Sequence, residues 1–257
     1  MPRFLFWNYK YNNPDRESLL ATLVRENSVD VVILAEASVA DEALTSLLSR
    51  GGRSYHPMPI PHDWIKIFAG YPPAFFLDWE SDEGRLCLRK IQFPGQYEII
   101  LGSLHLPSGL HSERSERLDT AQPVARKIRE VQRESEHARV IVVGDFNLNP
   151  HDDGMVFPSS FGAMTSKELV KKYAIHQGDR YARLYNPMWN LLGREMAEGP
   201  PGTFYWPSHR PFNIYWNLLD QVLVGYDLLD HFPDDRLQIL AELPEALGHD
   251  SLFRATS

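Results

Sequence analysis

The stretch RVIVVGDFNLNP, Arg139 to Pro150, decides how the rest of this chain is read. Val140 to Val143 form a β-branched apolar run of the kind that makes a buried strand. Gly144, Asp145 and Asn147 then break it with residue types that turns favour. A plain turn accounts for them. So does a turn that holds a carboxylate and a carboxamide at the mouth of a catalytic site, and the other apolar runs have to separate the two readings.

Working outward, RFLFW at the N-terminus reads as a strand that ends at Asn8, and DVVILAE as one that ends at Glu36. Between them DRESLLATLVREN places Leu19, Leu20, Leu23 and Val24 on one helical face, with Asp15 as the expected cap. DEALTSLLSRGG reads as a second helix that stops at Gly51. Residues 54 to 104 change to short runs separated by Pro and Gly, and GRLCLRKIQFPGQYEIILGSLHL reads as antiparallel strands that end at His105. Residues 112 to 137 carry Leu118, Ala121, Ala125 and Ile128 at helical spacing, and Pro123 is expected to kink this helix or to mark its start. Residues 149 to 217 are looser, and LLDQVLVG is the last clear strand. Mixed strands and helices in this order give an α/β (α+β) layered class. With no repeat or linker, residues 1–257 read as a single domain.

The strands therefore end repeatedly in polar groups: Asn8, Glu36, His105, Asp145 and Asn147. In layered α/β folds ligand sites gather at strand ends, so residues distant in sequence can converge there. Asp220 interrupts the last strand and needs a partner if buried. His249 could supply it.

Composition narrows the chemistry. The chain has 257 residues, is 43% hydrophobic and 23% charged, and carries one cysteine and a formal net charge of -8. No apolar run approaches the stretch of about 18 residues that a membrane helix needs, and MPRFLFWNYK has no signal-peptide pattern, so a soluble, cytoplasmic protein is expected. Cys87 alone excludes an internal disulfide and a thiolate zinc cluster, which leaves oxygen and imidazole as metal ligands. The acidic balance argues against a dedicated duplex-binding module. It leaves room for an enzyme acting on phosphates, because carboxylates that hold a divalent cation are themselves acidic.

The ordered set of Asn8, Glu36, His105, GDFN at 144–147, LLDQVLV at 218–224 and a histidine near the C-terminus resembles the endonuclease/exonuclease/phosphatase superfamily across essentially the whole chain. The resemblance implies a four-layer α/β/β/α sandwich of two mixed sheets with helices outside. It implies a divalent-metal phosphoesterase using Mg2+ or Mn2+, with one site expected from the departures at Gly248 and Lys10 described below, and most simply a nuclease or phosphodiesterase attacking phosphorus in line with water. Glu36 would bind the metal with Asn8 beside it. Asp145 and Asn147 would orient the water and hold the phosphate, and His105 would meet a phosphate oxygen or the leaving group. Asp220 would hold His249 as base or transition-state stabiliser. The substrate carries phosphate, with nucleic acid or a nucleotide expected, and an inositol- or lipid-type phosphate is the alternative.

Two positions depart from the family pattern. Where the family ends in Ser-Asp-His, this chain has LGHDSLF, so Gly248 takes the Asp position, and Asp250 would point to the opposite face of an extended strand. The family's abasic-site endonucleases carry Asp two residues after the first-strand Asn, where this chain has Lys10. A cation there would repel a second metal or meet a phosphate. A catalytically impaired, binding member of the family is thus a further alternative. Arg114, Arg117, His209 and Arg210 are candidate substrate contacts, although a solvated charged face explains the two helical arginines as well. TFYWPSHRPFNIYW could be a stacking surface or the packing of a long loop.

Overall fold

The structure is a computed structural model that describes residues 2–10, 14–60, 63–78, 85–108, 114–171, 173–195, 199–207 and 214–240. The chain divides into two compact units, one of residues 1–98 with 240–257 and one of residues 99–239.

In the first unit β1 (Phe4–Asn8), β2 (Val31–Ala35), β3 (His56–Met58) and β4 (Ile65–Ala69) form a four-stranded sheet in the order β1-β2-β4-β3. β1 runs parallel to β2, with Asn8 opposite Ala35, whereas β4 is antiparallel to both of its neighbours. Every residue of β2 is buried, as a continuous apolar run in the middle of a sheet should be. α1 (Pro14–Glu26) and α2 (Asp41–Ser49) bring Leu20, Val24, Leu44, Leu47 and Leu48 into a core with Val32, Leu34 and Phe68. α1 begins at Pro14, so Asp15 lies inside the first turn and is not the cap: proline suits the first helical position because its missing N–H would have no partner there. β5 (Phe76–Asp78) and β6 (Leu86–Ile91) complete the unit as an antiparallel pair.

In the second unit β7 (Ile99–His105), α3 (Arg114–Glu134) and β8 (Val140–Asp145) make a crossover between parallel strands. Pro123 neither starts nor ends α3, which runs nine residues ahead of it and eleven beyond. Two short helices, α4 (Asp153–Val156) and α5 (Lys167–Val170), and the strands β9 (Ala163–Met164), β10 (Ala174–His176), β11 (Asp179–Tyr181), β12 (Leu184–Tyr185), β13 (Phe204–Tyr205) and β14 (Trp216–Asn217) occupy the stretch expected to be loose. β15 (Asp220–Val224) pairs antiparallel with β8, giving the strand order β7-β8-β15-β12-β9 within this unit.

The last strand is shorter than LLDQVLVG suggests. Leu218 donates its N–H to Asn149 Oδ1 at 2.9 Å, and Leu219 and Asp220 donate theirs to Thr203 Oγ1 at 3.0 Å. Side chains take these backbone donors, so Asp220 opens the strand instead of interrupting it. Mixed sheets with helices place the chain in the expected α/β class and are consistent with the sandwich that the resemblance implies.

Candidate active site

The residues picked out by sequence fall into two groups, one in each unit. In the first, Asn8 is the last residue of β1 and Glu36 directly follows β2. Both are partly exposed, and Asn8 Nδ2 donates to Glu36 Oε1 at 3.2 Å, which fixes the direction of the carboxylate. Glu36 is held in left-handed backbone, φ 54°, where its N–H donates to Trp64 O at 3.1 Å. Lys10 is exposed and has φ 21°. Between Asn8 and Lys10, Tyr9 is fully buried and its hydroxyl has no hydrogen-bond partner among the described residues. Burial, reinforced by Glu17 and opposed by Arg16, pushes that hydroxyl up to about 12, so Tyr9 stays neutral at physiological pH.

In the second unit three side chains stand in one row. His105, at the end of β7, is in register with Asp145, at the end of β8, and Asp145 is in register with Asp220, at the start of β15. Registered neighbours on adjacent strands project to the same face, about 4.8 Å apart. His105 and Asp145 are buried, and Asp220 is half-buried. Burial, with the Asp145 charge adding to it, pushes the Asp220 carboxyl well above the usual carboxylate range.

The turn after β8 follows from its sequence. Asp145 Oδ1 accepts the N–H of Asn147 at 2.8 Å, the local bond by which Asp builds turns. Asn147 takes φ 50°, a left-handed conformation that asparagine tolerates better than most residues, and its Nδ2 donates to Leu106 O at 2.8 Å. Gly144 is demanded by space: a Cβ there would overlap the Leu104 carbonyl oxygen and lie 2.8 Å from its carbon. Phe146, by contrast, is a core residue, fully buried edge-to-face against Phe161.

A set of amides that sequence reading passed over holds this turn. Asn149 Nδ2 donates to Asn217 Oδ1 at 2.9 Å, and Asn149 N–H donates to Asp152 Oδ2 at 2.8 Å. Gln221 Nε2 donates to Leu148 O at 2.5 Å, while Gln221 Oε1 accepts from Asn186 Nδ2 at 2.8 Å. Asn186 and Gln221 are buried amides whose bonds satisfy the cost of their burial. The second Asn of GDFNLN was the one available signal, and nothing in the sequence points to Asn186, Thr203 or Asn217. Arg117 lies 3.6 Å from Asp152 Oδ2, an ion pair on the protein itself. Arg114 opens α3. His209, Arg210, Gly248, His249 and Asp250 lie outside the described residues.

The raised Asp220 carboxyl carries a stability consequence. A folded-state value above the ordinary 3.8 means that the native protein holds a proton the unfolded chain releases, so this contribution is fully present below pH 3.8 and is lost as pH rises through the folded value. Asp220→Asn is therefore expected to raise the melting temperature at pH 7 relative to the wild type, and to lose that advantage near pH 4. Melting curves across this range would contradict the account if the variant were less stable at pH 7.

The chain matches the family model described as Endonuclease/Exonuclease/phosphatase family over residues 6–235. No curated protein matches it. Among solved structures, the human Nocturnin catalytic domain with bound sulfate superposes with a TM-score of 0.54 at 14% identity, covering 86% of this chain and 82% of that one. Truncated TDP2 from Caenorhabditis elegans gives 0.52 at 16% identity, with 86% and 83% covered. An AP endonuclease from Archaeoglobus fulgidus gives 0.51 at 16% identity, with 89% and 88% covered. At these identities the likeness is one of fold.

Proposed function

Because the chain belongs to the endonuclease/exonuclease/phosphatase family, we propose that it is a divalent-metal-dependent phosphoester hydrolase, a nuclease or other phosphodiesterase acting on nucleic acid or a nucleotide. The observation that carries this reading is the row of His105, Asp145 and Asp220 at the ends of three neighbouring strands, beside a turn that Asp145 itself builds.

Glu36 and Asn8 are the residues that would hold a single Mg2+ or Mn2+. Their donor set fits, since a carboxylate oriented by a carboxamide offers hard oxygen ligands. Once bound, such an ion polarises a phosphoryl oxygen and steadies charge on the leaving oxygen. The protein's share is positional. Asp145 orients the attacking water, Asn147 presents its anchored carboxamide to a phosphate oxygen, and His105 meets a phosphate oxygen or the leaving group. Asp220 and His249 complete the proposed catalytic set, with His249 as base or transition-state stabiliser. Lys10, Arg114, Arg117, His209 and Arg210 are proposed contacts to the substrate's anionic backbone.

Among the described residues no helix is long and apolar enough to cross a membrane. A cytoplasmic setting belongs to the same proposal. Gly248 favours a second reading, a family member that binds such ligands without cutting them.

Hydrolysis of plasmid DNA, single-stranded DNA, RNA, an inositol polyphosphate and an aryl phosphodiester, each with Mg2+, Mn2+ or chelator, tests these readings. Turnover is expected on a nucleic-acid substrate. Chelator should abolish it, and Glu36→Gln should lower it by about 100-fold or more. A preference for the inositol polyphosphate would replace the nuclease reading by a phosphatase. Binding without turnover that Gly248→Asp then restores would establish the second reading.

A further inference from the structure

Trp64 is a large apolar side chain on the surface, 47% exposed. It directly precedes β4 and continues the β2–β4 ladder: Ala35 is in register with Ile65, and one step further Glu36 N–H donates to Trp64 O at 3.1 Å. The indole therefore belongs to the same end of the sheet as Asn8 and Glu36. The Arg85 guanidinium lies over its ring, 4.6 Å from the centroid. The carboxylate–carboxamide pair and the indole–guanidinium pair thus stand at the same end of one sheet within the first unit.

From this juxtaposition we propose that Trp64 and Arg85 form a nucleoside-binding subsite beside Glu36, in which the indole stacks on a nucleobase and Arg85 meets the adjoining phosphate. The inference rests on the phosphoesterase reading and narrows its substrate to a nucleotide unit. Each group has one matching feature in such a ligand. Every base has a π-face that a sequence-tolerant aromatic contact can cover, and a guanidinium matches phosphate oxygens in a bidentate fork. A sugar or inositol phosphate would use Arg85 and leave the indole idle.

The test is binding by the full chain, with Ca2+ in place of Mg2+ to suppress turnover. Fluorescence anisotropy would follow a short labelled oligothymidylate, and calorimetry would follow inositol hexakisphosphate as a polyanion without a π-face. Trp64→Ala is expected to weaken oligothymidylate about tenfold and to leave inositol hexakisphosphate unchanged, while Trp64→Phe keeps most of the affinity. Arg85→Ala should weaken both ligands. Melting curves would identify a variant that fails to fold, in which case Trp64→Phe and Arg85→Ala still decide the question. Equal losses for the two ligands on Trp64→Ala, an unchanged oligothymidylate affinity, or no binding of oligothymidylate by the wild type would each overturn the subsite. Metal-dependent turnover with Trp64→Ala binding like the wild type would overturn the subsite alone. Trp64-dependent binding without turnover would overturn the hydrolase reading and keep the subsite.

Discussion

Asp145→Ala is expected to lower metal-dependent phosphodiester turnover by about 1000-fold without unfolding the protein. Two losses combine. The carboxylate that stands between His105 and Asp220 in the strand-end row disappears, and so does the acceptor that holds the Asn147 N–H at 2.8 Å. Asn147 then keeps its carboxamide bond to Leu106 O but loses the bond that Asp145 supplied, and the group offered to the phosphate loses its fixed position. Stability should hold or rise, because the Asp145 charge is one of the two causes that push the Asp220 carboxyl up. Steady-state kinetics beside a thermal melt separate these effects. Turnover within tenfold of the wild type, from a folded variant, would remove Asp145 from the chemistry.

The second large effect falls on a residue with no side chain. Gly144→Ala should destabilise the protein by about 3 kcal/mol. The added Cβ would meet backbone, the Leu104 carbonyl of the strand that pairs with it, and backbone cannot turn aside as a side chain can. β7 and β8 would have to separate one step before the pair of His105 and Asp145. Urea unfolding measures the loss, and a change below about 1 kcal/mol would show that the strands accommodate the methyl easily.

The opening question about GDFN thus has a different answer at each position. Gly144 is there for space, Asp145 and Asn147 build and occupy the turn, and Phe146 belongs to the core. Much of this was legible in the sequence. β-branched runs declared β2 and β8, helical spacing declared α1, α2 and α3, and the polar residues after each apolar run marked the strand ends. What stayed hidden depends on partners remote along the chain. The start of β15 was misplaced because Thr203 and Asn149 take backbone donors that a strand would otherwise use, and no local pattern encodes that. Asp15 was misassigned by two positions, since a helix capped by Asp15 would begin at residue 16 whereas this one takes Pro14 as its first residue. The clamp of Asn149 on Asn217 joins residues 68 apart, and the burial of Asn186 and Gln221 as a bonded pair is equally non-local. Trp64 escaped notice because an isolated tryptophan has no meaning until its neighbours are known.

The left-handed backbone at Glu36 and Asn147 bears on how such a protein can diverge. At position 147 the conformation favours Gly, Asn and Asp, so descendants exchange charge there more cheaply than they gain bulk. Position 36 imposes the same filter, yet it holds a longer acid that the conformation disfavours, at a standing cost of about 1–3 kcal/mol. Random drift that removed selection on chemistry would lose Glu36 first, whereas Asn147 could persist for its backbone alone. In any chain that shares these turns, an acid retained at the first position is therefore better testimony to a working site than an asparagine retained at the second.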